Sequence, residues 1–315
     1  MQKTERKVVV IGAGFVGTTY AYALMHTGLA GEIILIDVDQ KRVKGEVMDL
    51  EHGLAFVQPV TIRSGDYSDC ADANLIVITA GAKQTPGQSR LELIQRNAEI
   101  VKLICDEINK HASDAVLLVV ANPVDILTYV ALKRLNWPRK RVIGSGTVLD
   151  SARFRTMLSQ HCGIDTRNVH AYILGEHGDS EVAAWSMTHI AGIPMKNYCL
   201  LCQGCDSKKG HADIVRSVRD SAYHIIDYKG STYYAIGLSL TRISEAILRN
   251  EHSILTVSIL LDGEYGIDDI CLSVPCVVGK TGVERIVTAI LPENEQAALK
   301  ASAETLGKIL VDIKA

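Results

Sequence analysis

A glycine-rich hexapeptide near the start of the chain constrains the fold more than any other feature. G-A-G-F-V-G occupies positions 12–17, after an apolar run, Lys7–Gly12, that is typical of a buried strand, and before a helical pattern, Gly17–Thr27. In such a turn the first glycine permits the tight bend, Gly14 lets the backbone approach a pyrophosphate, and the last lets helix pack on strand. The helix N-terminus offers free N–H groups to the phosphates. The pattern predicts a dinucleotide site, and a simple strand–turn–helix connection is the alternative.

Four further apolar runs in the first half are typical of strands: Glu32–Val38, Leu75–Ala80, Ala115–Ala121 and a short one at Arg141–Gly144. Unbroken Val, Ile and Leu runs suit strands buried on both faces, and the helix-length segments between them suit parallel crossovers. We therefore predict an α/β fold, a Rossmann-type doubly wound parallel sheet, for a first domain at residues 1–146.

The second half has a different texture, with helices mixed among short strands of antiparallel type, and predicts an α+β domain over residues 147–315. No linker separates the halves, so we expect a broad interface with a cleft that holds the site. The predicted elements are helices at Asp150–Cys162 (closed by Gly163), Ser207–Tyr228, Thr232–Leu248 and from Glu293, and strands at Val169–Leu174, near Ser253–Leu261 and near Asp269–Val278.

Composition excludes several classes of function. The 315 residues are 47% hydrophobic and 22% charged, with a formal charge of −3, so we expect no nucleic-acid partner. No apolar run approaches the roughly 18–20 residues that span a bilayer, and the first residues lack the features of a signal peptide. We therefore expect a cytoplasmic protein with no membrane partner.

The second predicted strand ends in a carboxylate that bears on the choice of cofactor. Asp37 lies 20 residues after Gly17, where a carboxylate can bind the ribose hydroxyls of a dinucleotide. The same charge would repel a 2′-phosphate, so the sequence favours NAD over NADP.

The eight cysteines are expected to be reduced thiols. Three of them, Cys199, Cys202 and Cys205, form a C-x-x-C-x-x-C run with His211 six residues on, a spacing that could hold zinc or an iron–sulfur cluster. No second cysteine pair lies nearby in sequence, and the chemistry predicted below needs no metal. We therefore predict no metal site.

Two motifs follow predicted strands at the sheet edge where such folds bind ligands. T-A-G-A-K-Q-T-P-G-Q-S-R at 79–90 predicts a mobile polar loop, rather than a helix start, that could close over a substrate and bring in Arg90. A-N-P-V-D at 121–125 places the Asn122 amide where it could bind a substrate oxygen. The alternatives are a solvated arginine and an ordinary turn before proline.

Two motifs of the second half predict acid–base chemistry. In L-D-S-A-R-F-R, Asp150 and Arg153 are three residues apart and share a helix face, whereas Arg155 lies about 200° from Arg153 and faces elsewhere. G-E-H-G-D brings His177 just past a buried strand, where Asp150 could hold one ring nitrogen. Such a pair raises the imidazole pKa and frees the other nitrogen to exchange a proton. A structural histidine and surface charges are the alternatives.

Together these motifs resemble the lactate/malate dehydrogenase family, in the family's order and over essentially the whole chain. The resemblance implies that His177 is the proton donor and acceptor, with Asp150 as its partner. It implies that Arg153 anchors the substrate carboxylate and that Arg90 polarises the ketone as the loop closes. Gln84 falls where the family meets the substrate's C3 substituent and where malate enzymes carry arginine, so pyruvate is the expected substrate.

The resemblance also implies the remaining contacts. Asn122, Asp125 and Thr232 are expected to contact the substrate along with Gln84, Arg90 and Arg153. The positions expected to bind the cofactor are Gly12, Gly14, Val16, Gly17, Asp37, Arg42, Tyr67, Gly81, Ala82, Asn122, Ser145 and Ile236.

The implied activity is the reversible, NADH-dependent reduction of pyruvate to (S)-lactate by a homotetramer, with a dimer possible without activator. Arg155 and His170 match the basic pair that binds fructose 1,6-bisphosphate in bacterial members. The first strand begins by Lys7, so we expect no N-terminal arm, and a bisphosphate would then neutralise facing basic residues. The alternatives are a malate or other L-2-hydroxyacid dehydrogenase, and a non-catalytic NAD-binding sensor.

Overall fold

The computed structural model describes residues 5–83, 87–111, 114–201 and 207–313. Its strands are β1 (Lys7–Ile11), β2 (Glu32–Ile36), β3 (Thr61–Ser64), β4 (Leu75–Ile78), β5 (Val116–Val119), β6 (Val142–Gly144), β7 (Val169–His170), β8 (Ile173–Leu174), β9 (Val182–Ala183), β10 (His189–Ile190), β11 (Ile193–Pro194), β12 (Ser253–Asp262), β13 (Asp268–Gly279) and β14 (Gly282–Ile286). Its α-helices are α1 (Phe15–Met25), α2 (Gln40–His52), α3 (Arg90–Asn109), α4 (Val124–Leu135), α5 (Val148–Cys162), α6 (Met195–Leu201), α7 (Ser207–Lys229), α8 (Tyr234–Leu248) and α9 (Glu293–Asp312).

The first half is the predicted doubly wound parallel sheet. Strands run in the order β6-β5-β4-β1-β2-β3, and every neighbouring pair among them is parallel. All residues of β1, β4 and β5 are buried, because helices pack on both faces. The Rossmann-type prediction is confirmed. Strand β3, Thr61–Ser64, was not predicted, because three of its four residues are polar and it lacks an apolar run.

The long strands of the second half extend this sheet. β12 and β13 form an antiparallel hairpin, and β12 pairs with β6 at Ser258 and Gly144. A single mixed sheet of nine strands thus runs through the described residues. Gly144 is needed at the junction, because a Cβ there would lie 2.9 Å from Ser258 Cβ. The sheet therefore fixes the first half against the hairpin of the second.

The prediction of one continuous strand over Val169–Leu174 is wrong. Its first part, β7, pairs with β10, and its second part, β8, pairs with β9 in a separate sheet. Between them the Ala171 carbonyl accepts from Arg155 Nε at 3.1 Å, and the Tyr172 carbonyl accepts from Ala184 N at 3.0 Å. Residues 169–174 therefore form two short strands rather than one, because their backbone groups pair with different partners along the segment. β8 still leads directly into the G-E-H-G-D segment.

The helix that carries the two arginines of interest follows its prediction closely. α5 runs from Val148 to Cys162 and ends at Gly163, whose φ of +65° is the left-handed cap that favours glycine. Among the described residues, no helix combines the length and the apolar character that a membrane crossing requires.

Candidate active site

The glycine-rich segment 12–17, hereafter the glycine loop, is built by close backbone approach. Gly12 has φ +111°, and a Cβ there would lie 2.5 Å from Ala80 N. A Cβ on Gly17 would collide with the Gly12 carbonyl oxygen. Gly14 differs, since no described atom lies within 4 Å of the place its Cβ would take. The backbone at Gly14 is thus open to a ligand.

The start of α1 beside this open position suits an anion. Gly14 is the N-cap, no described side chain caps the helix, and the first turn holds no acidic residue. The first N–H groups of a helix have no partner within it and carry partial positive charge. A pyrophosphate at Gly14 would satisfy them, so these residues fit the predicted dinucleotide.

Asp37 closes the glycine loop from the neighbouring strand. Its Oδ2 accepts from Ala13 N at 2.7 Å and its Oδ1 from Asp39 N at 3.0 Å. These bonds hold the carboxylate at the rim, where the adenosine ribose was predicted. Near the same rim, Arg42 lies over the Phe15 ring at 5.7 Å, and burial raises the pKa of Tyr67 to about 12.

A buried amide that the sequence analysis missed joins two predicted ligand segments. Asn97 is 2% exposed on α3; its Oδ1 accepts from Ala82 N at 2.8 Å, and its Nδ2 donates to the Asn122 carbonyl at 2.9 Å. The two segments pack closely, since a Cβ on Gly81 would lie 3.4 Å from Ala121 Cβ. Asn97 therefore sets the spacing between the segment after β4 and the segment after β5.

The remaining predicted contacts come from both halves of the chain. Ser145 is buried directly after β6, whereas Val16 of α1 and Ile236 of α8 are half-buried and pack against one hydrophobic core cluster. Thr232 is half-buried in the short connection between α7 and α8.

A cavity of about 410 Å³ brings together five of the predicted catalytic and substrate residues. α3, α5 and α7 border it, along with the segments after β5 and β8. The predicted residues in its wall are Arg90, Asn122, Asp150, Arg153 and His177.

The predicted acid–base pair is formed. His177 Nδ1 lies 2.5 Å from Asp150 Oδ2, and the other carboxylate oxygen accepts from Arg153 Nη1 at 2.8 Å. Burial alone would lower the pKa of His177, but the adjacent Asp150 carboxylate outweighs it and raises that pKa to about 9. Burial likewise opposes ionisation of Asp150, yet His177 and Arg153 hold its pKa below the usual value. His177 can thus keep its proton at neutral pH.

The segment that contains His177, residues 175–181 and hereafter the catalytic loop, is held by hydrogen bonds to elements distant in the chain. Gly175 exchanges two backbone hydrogen bonds with Ser273 of β13, and Ser302 Oγ of α9 accepts from Glu176 N at 2.8 Å and lies 3.0 Å from Ser180 Oγ. Asp125 Oδ2 accepts from His177 N at 2.8 Å. Three separate elements, β13, α9 and α4, therefore fix the position of the imidazole.

Asp125 does not occupy the place predicted for it. It is 2% exposed, its second oxygen accepts from Ser258 Oγ at 2.6 Å, and burial raises its pKa to about 6. Expected as a substrate contact, it lies beneath the catalytic loop instead. Its position in the first turn of α4 directs it at the interior, which the motif alone could not reveal.

Arg90 is also placed differently from its prediction. It is the first residue of α3, and Ser89 caps that helix in a reciprocal capping box with Glu92, so the segment does contain a helix start. The Arg90 side chain is 67% exposed, with Nη1 3.9 Å from Asp179 Oδ2 across the cleft. The guanidinium thus reaches the cavity from a helix end. Gln84 lies outside the described residues.

Arg155 faces away from the cleft, as the helix geometry predicted. It lies over the Tyr172 ring at 5.4 Å and borders a separate cavity of about 530 Å³ with Leu238 and Arg242. His170 is exposed on β7. The two arginines of α5 therefore serve two different surfaces.

The cysteine run falls partly outside the described residues, which exclude Cys202 and Cys205. Cys199 Sγ lies 3.5 Å from His211 Nε2, and the His211 ring stacks on Trp185. Within the described part of the chain, no group of three or more His, Cys, Asp or Glu side chains is arranged to hold a metal.

Three further residues of the cleft wall were not predicted. Arg219 and Tyr223 come from α7, and Glu181 ends the catalytic loop. Arg219 Nη2 donates to the Glu181 carbonyl at 3.0 Å, and Tyr223 donates to Asp179 Oδ1 at 2.9 Å. The amphipathic pattern of α7 could have indicated that one face covers the cleft, but not which one.

Comparison with known proteins identifies the family. Residues 6–144 match the lactate/malate dehydrogenase NAD-binding domain, and residues 147–315 match the α/β C-terminal domain of the same family. The chain belongs to the lactate/malate dehydrogenase family, and it is therefore an enzyme of an NAD-dependent oxidoreductase family.

Individual relatives are similar over their whole length. The chain is 55% identical to an L-lactate dehydrogenase of Acetivibrio thermocellus, over 98% of this chain and 97% of that one. It is 55% identical to an L-lactate dehydrogenase of Treponema denticola, over 99% and 100%. The fold matches a crystal structure of a lactate dehydrogenase from a Medee basin deep-sea metagenome library with a TM-score of 0.96 and 46% identity, over 98% and 99%.

Proposed function

We propose that this protein is an L-lactate dehydrogenase that reversibly reduces pyruvate to (S)-lactate with NADH. The observation that carries the proposal is the pair of His177 and Asp150, joined at 2.5 Å in a cleft that also holds Arg153 and Arg90. Relatives that carry this name at 55% identity support it.

The cofactor proposed is NAD(H). Gly14 and the first N–H groups of α1 would hold its pyrophosphate, and Asp37 its adenosine ribose. When bound, NADH supplies the hydride that turns a 2-oxo acid into a 2-hydroxy acid. The nicotinamide would lie between Ile236 and the substrate cleft.

The chain's own residues supply the rest of the chemistry. Arg153 binds the substrate carboxylate, and its guanidinium fork suits that planar anion. His177 gives the proton held by its ring to the carbonyl oxygen, while Arg90 stabilises the negative charge that develops there. In the reverse direction neutral His177 takes the hydroxyl proton, so the two directions need opposite states of one imidazole.

Pyruvate is the proposed substrate because of Gln84. A neutral amide leaves the second carboxylate of oxaloacetate without a partner, at about 3–5 kcal/mol, or more than about two decades in kcat/KM. We expect Gln84→Arg to shift the preference towards oxaloacetate. Steady-state kinetics on both acids measure this, and Gln88→Arg serves as a matched control. A wild-type preference for oxaloacetate would contradict the proposal.

We also propose a homotetramer that fructose 1,6-bisphosphate activates through Arg155 and His170. Arg155 shares α5 with Arg153 but faces the other cavity, so a change at that surface can move the carboxylate anchor. A coupling of about 1–3 kcal/mol would lower the pyruvate KM by about 5- to 150-fold.

Kinetics with and without the bisphosphate test this regulation in wild type, Arg155→Gln and Arg167→Gln. Arg167 is an exposed control, paired with Asp165 at 2.7 Å. Activation should be lost in the first variant alone, and an unchanged wild-type KM would contradict it. The division into residues 1–146 and 147–315 and the cytoplasmic location stay predictions.

A further inference from the structure

Glu181 is a buried carboxyl group that the chemistry above leaves unused. It lies four residues after His177, at the point where the catalytic loop meets β9, and it is 4% exposed. Its side chain borders the substrate cavity. Its Oε1 is buried and has no hydrogen-bond partner among the described residues.

Charged groups from three elements surround this carboxyl. α5 contributes Asp150 and Arg153, the catalytic loop contributes His177, and α7 contributes Arg219. The Arg219 guanidinium donates one bond to the backbone carbonyl of Glu181 rather than to its orphaned Oε1. The remaining charged or titratable side chains of the cavity wall are Arg90, Asp179 and Tyr223.

An ionised carboxylate is costly in such a place. A buried charge needs hydrogen bonds and a close partner to offset its desolvation, and a group without them takes up a proton instead. Two other buried glutamates show the contrast. Glu295 accepts from Ser186 N and Oγ, and Glu176 accepts from Ser180 Oγ, so each has the donors that Glu181 Oε1 lacks.

We propose that Glu181 controls substrate binding through its charge: it is protonated whenever the cleft accepts a 2-oxo acid, so that binding requires two protons on the protein, one on His177 and one on Glu181. This inference rests on the proposed function, because it concerns the same cleft. Burial and the nearby Asp150 carboxylate support it, since they raise the pKa of Glu181 to about 8 against the opposing effect of His177, Arg219 and Arg153.

The reason is the charge of the substrate. Pyruvate brings a carboxylate to Arg153, and an ionised Glu181 in the same cavity wall would repel it. Rising pH removes the proton from Glu181 and from His177, and either loss weakens pyruvate capture. With both groups titrating, kcat/KM for pyruvate falls at high pH by about a hundredfold per pH unit, against about tenfold if His177 acts alone.

The test compares full-length wild type with Glu181→Gln, which keeps the shape but stays neutral at every pH. At about pH 6, where Glu181 would be protonated in wild type, kcat/KM for pyruvate should agree within about twofold. At high pH the variant should fall by about tenfold per pH unit while wild type falls by about a hundredfold. Glu295→Gln, a buried glutamate outside the cleft, should keep the wild-type steepness.

Infrared spectroscopy gives a readout that a purely structural role would not move. In wild type and in Glu295→Gln, the difference spectrum between neutral and alkaline pH should show the loss of the C=O band of a protonated carboxyl group. Glu181→Gln should lack that loss.

Several results would overturn the inference: a wild-type profile with single-proton steepness, a Glu181→Gln profile that keeps two-proton steepness, or a folded Glu181→Gln enzyme already impaired more than tenfold at about pH 6. Failure of wild type itself to reduce pyruvate would instead reject the proposed function. The infrared bands would still decide whether Glu181 holds a proton.

Discussion

The glycine loop and the catalytic loop both line a proposed binding surface, and they do so by opposite means. The glycine loop works by omitting side chains: Gly12 and Gly17 let backbone pack on backbone, and Gly14 leaves open space. The catalytic loop works by burying charge, with His177 fixed by Asp150 on α5 and by Asp125 on α4. The first site is encoded within a few residues, whereas the second depends on residues far apart in the chain. Substitutions should therefore separate cofactor binding from catalysis.

The largest expected effect belongs to His177, the proposed acid–base residue. We expect His177→Asn to lower kcat/KM for pyruvate by about 10²- to 10⁴-fold, because the carbonyl oxygen loses its proton donor. NADH affinity, followed by its fluorescence, should stay within about twofold, since the glycine loop is untouched. His189→Asn, a half-buried control on β10, should change neither. If His177→Asn lost NADH affinity by the same factor as kcat/KM, cofactor binding and catalysis would not be separable in this way.

Next come two alanines within one loop. A Cβ on Gly17 meets the Gly12 carbonyl, so Gly17→Ala should lower the free energy of unfolding by about 1–3 kcal/mol. A Cβ on Gly14 would meet no described atom, so Gly14→Ala should change the free energy of unfolding by less than about 0.5 kcal/mol. NADH affinity should nevertheless fall, because the methyl fills the space that the pyrophosphate needs. Denaturant unfolding and NADH titration measure the two effects, and equal stabilities for both variants would contradict the packing argument.

The smallest expected effect concerns the partner of the imidazole. His177 is held near a pKa of about 9 by Asp150. In Asp150→Asn that pKa should fall towards about 6.5, and the protonated fraction at about pH 7.5 then drops about tenfold. In the proposed mechanism pyruvate reduction uses protonated His177, so it should fall by at least that factor at about pH 7.5 and recover part of it at about pH 5.5. Lactate oxidation in that mechanism needs neutral His177, so its onset should shift to lower pH. Unchanged pH profiles would remove the pair from the mechanism.

The sequence was most informative where function is encoded locally. Periodicity and glycine spacing predicted the parallel strands and the glycine loop, because each depends on neighbours in the chain. It was least informative where distant elements meet. Asn97 bridges two loops from within a helix, and Asp125 faces the interior although its motif lies at the ligand-binding edge of the sheet. Val169–Leu174 is apolar enough for one strand, but the partners of its two ends lie in different sheets.

The single pairing of Gly144 with Ser258 bears on how the chain can be divided. A fragment that ended after β6 would expose that strand as an open sheet edge, and unpaired edges recruit other chains. It would also remove Ser258 and His177, whose O–H and N–H groups hold the Asp125 carboxyl group in place. The two family domains are recognisable as modules in sequence, yet we expect that neither folds on its own. We expect the whole chain to unfold as one cooperative unit. During refolding, the catalytic loop should be among the last parts to gain protection from hydrogen exchange, because its anchors come from three separate elements.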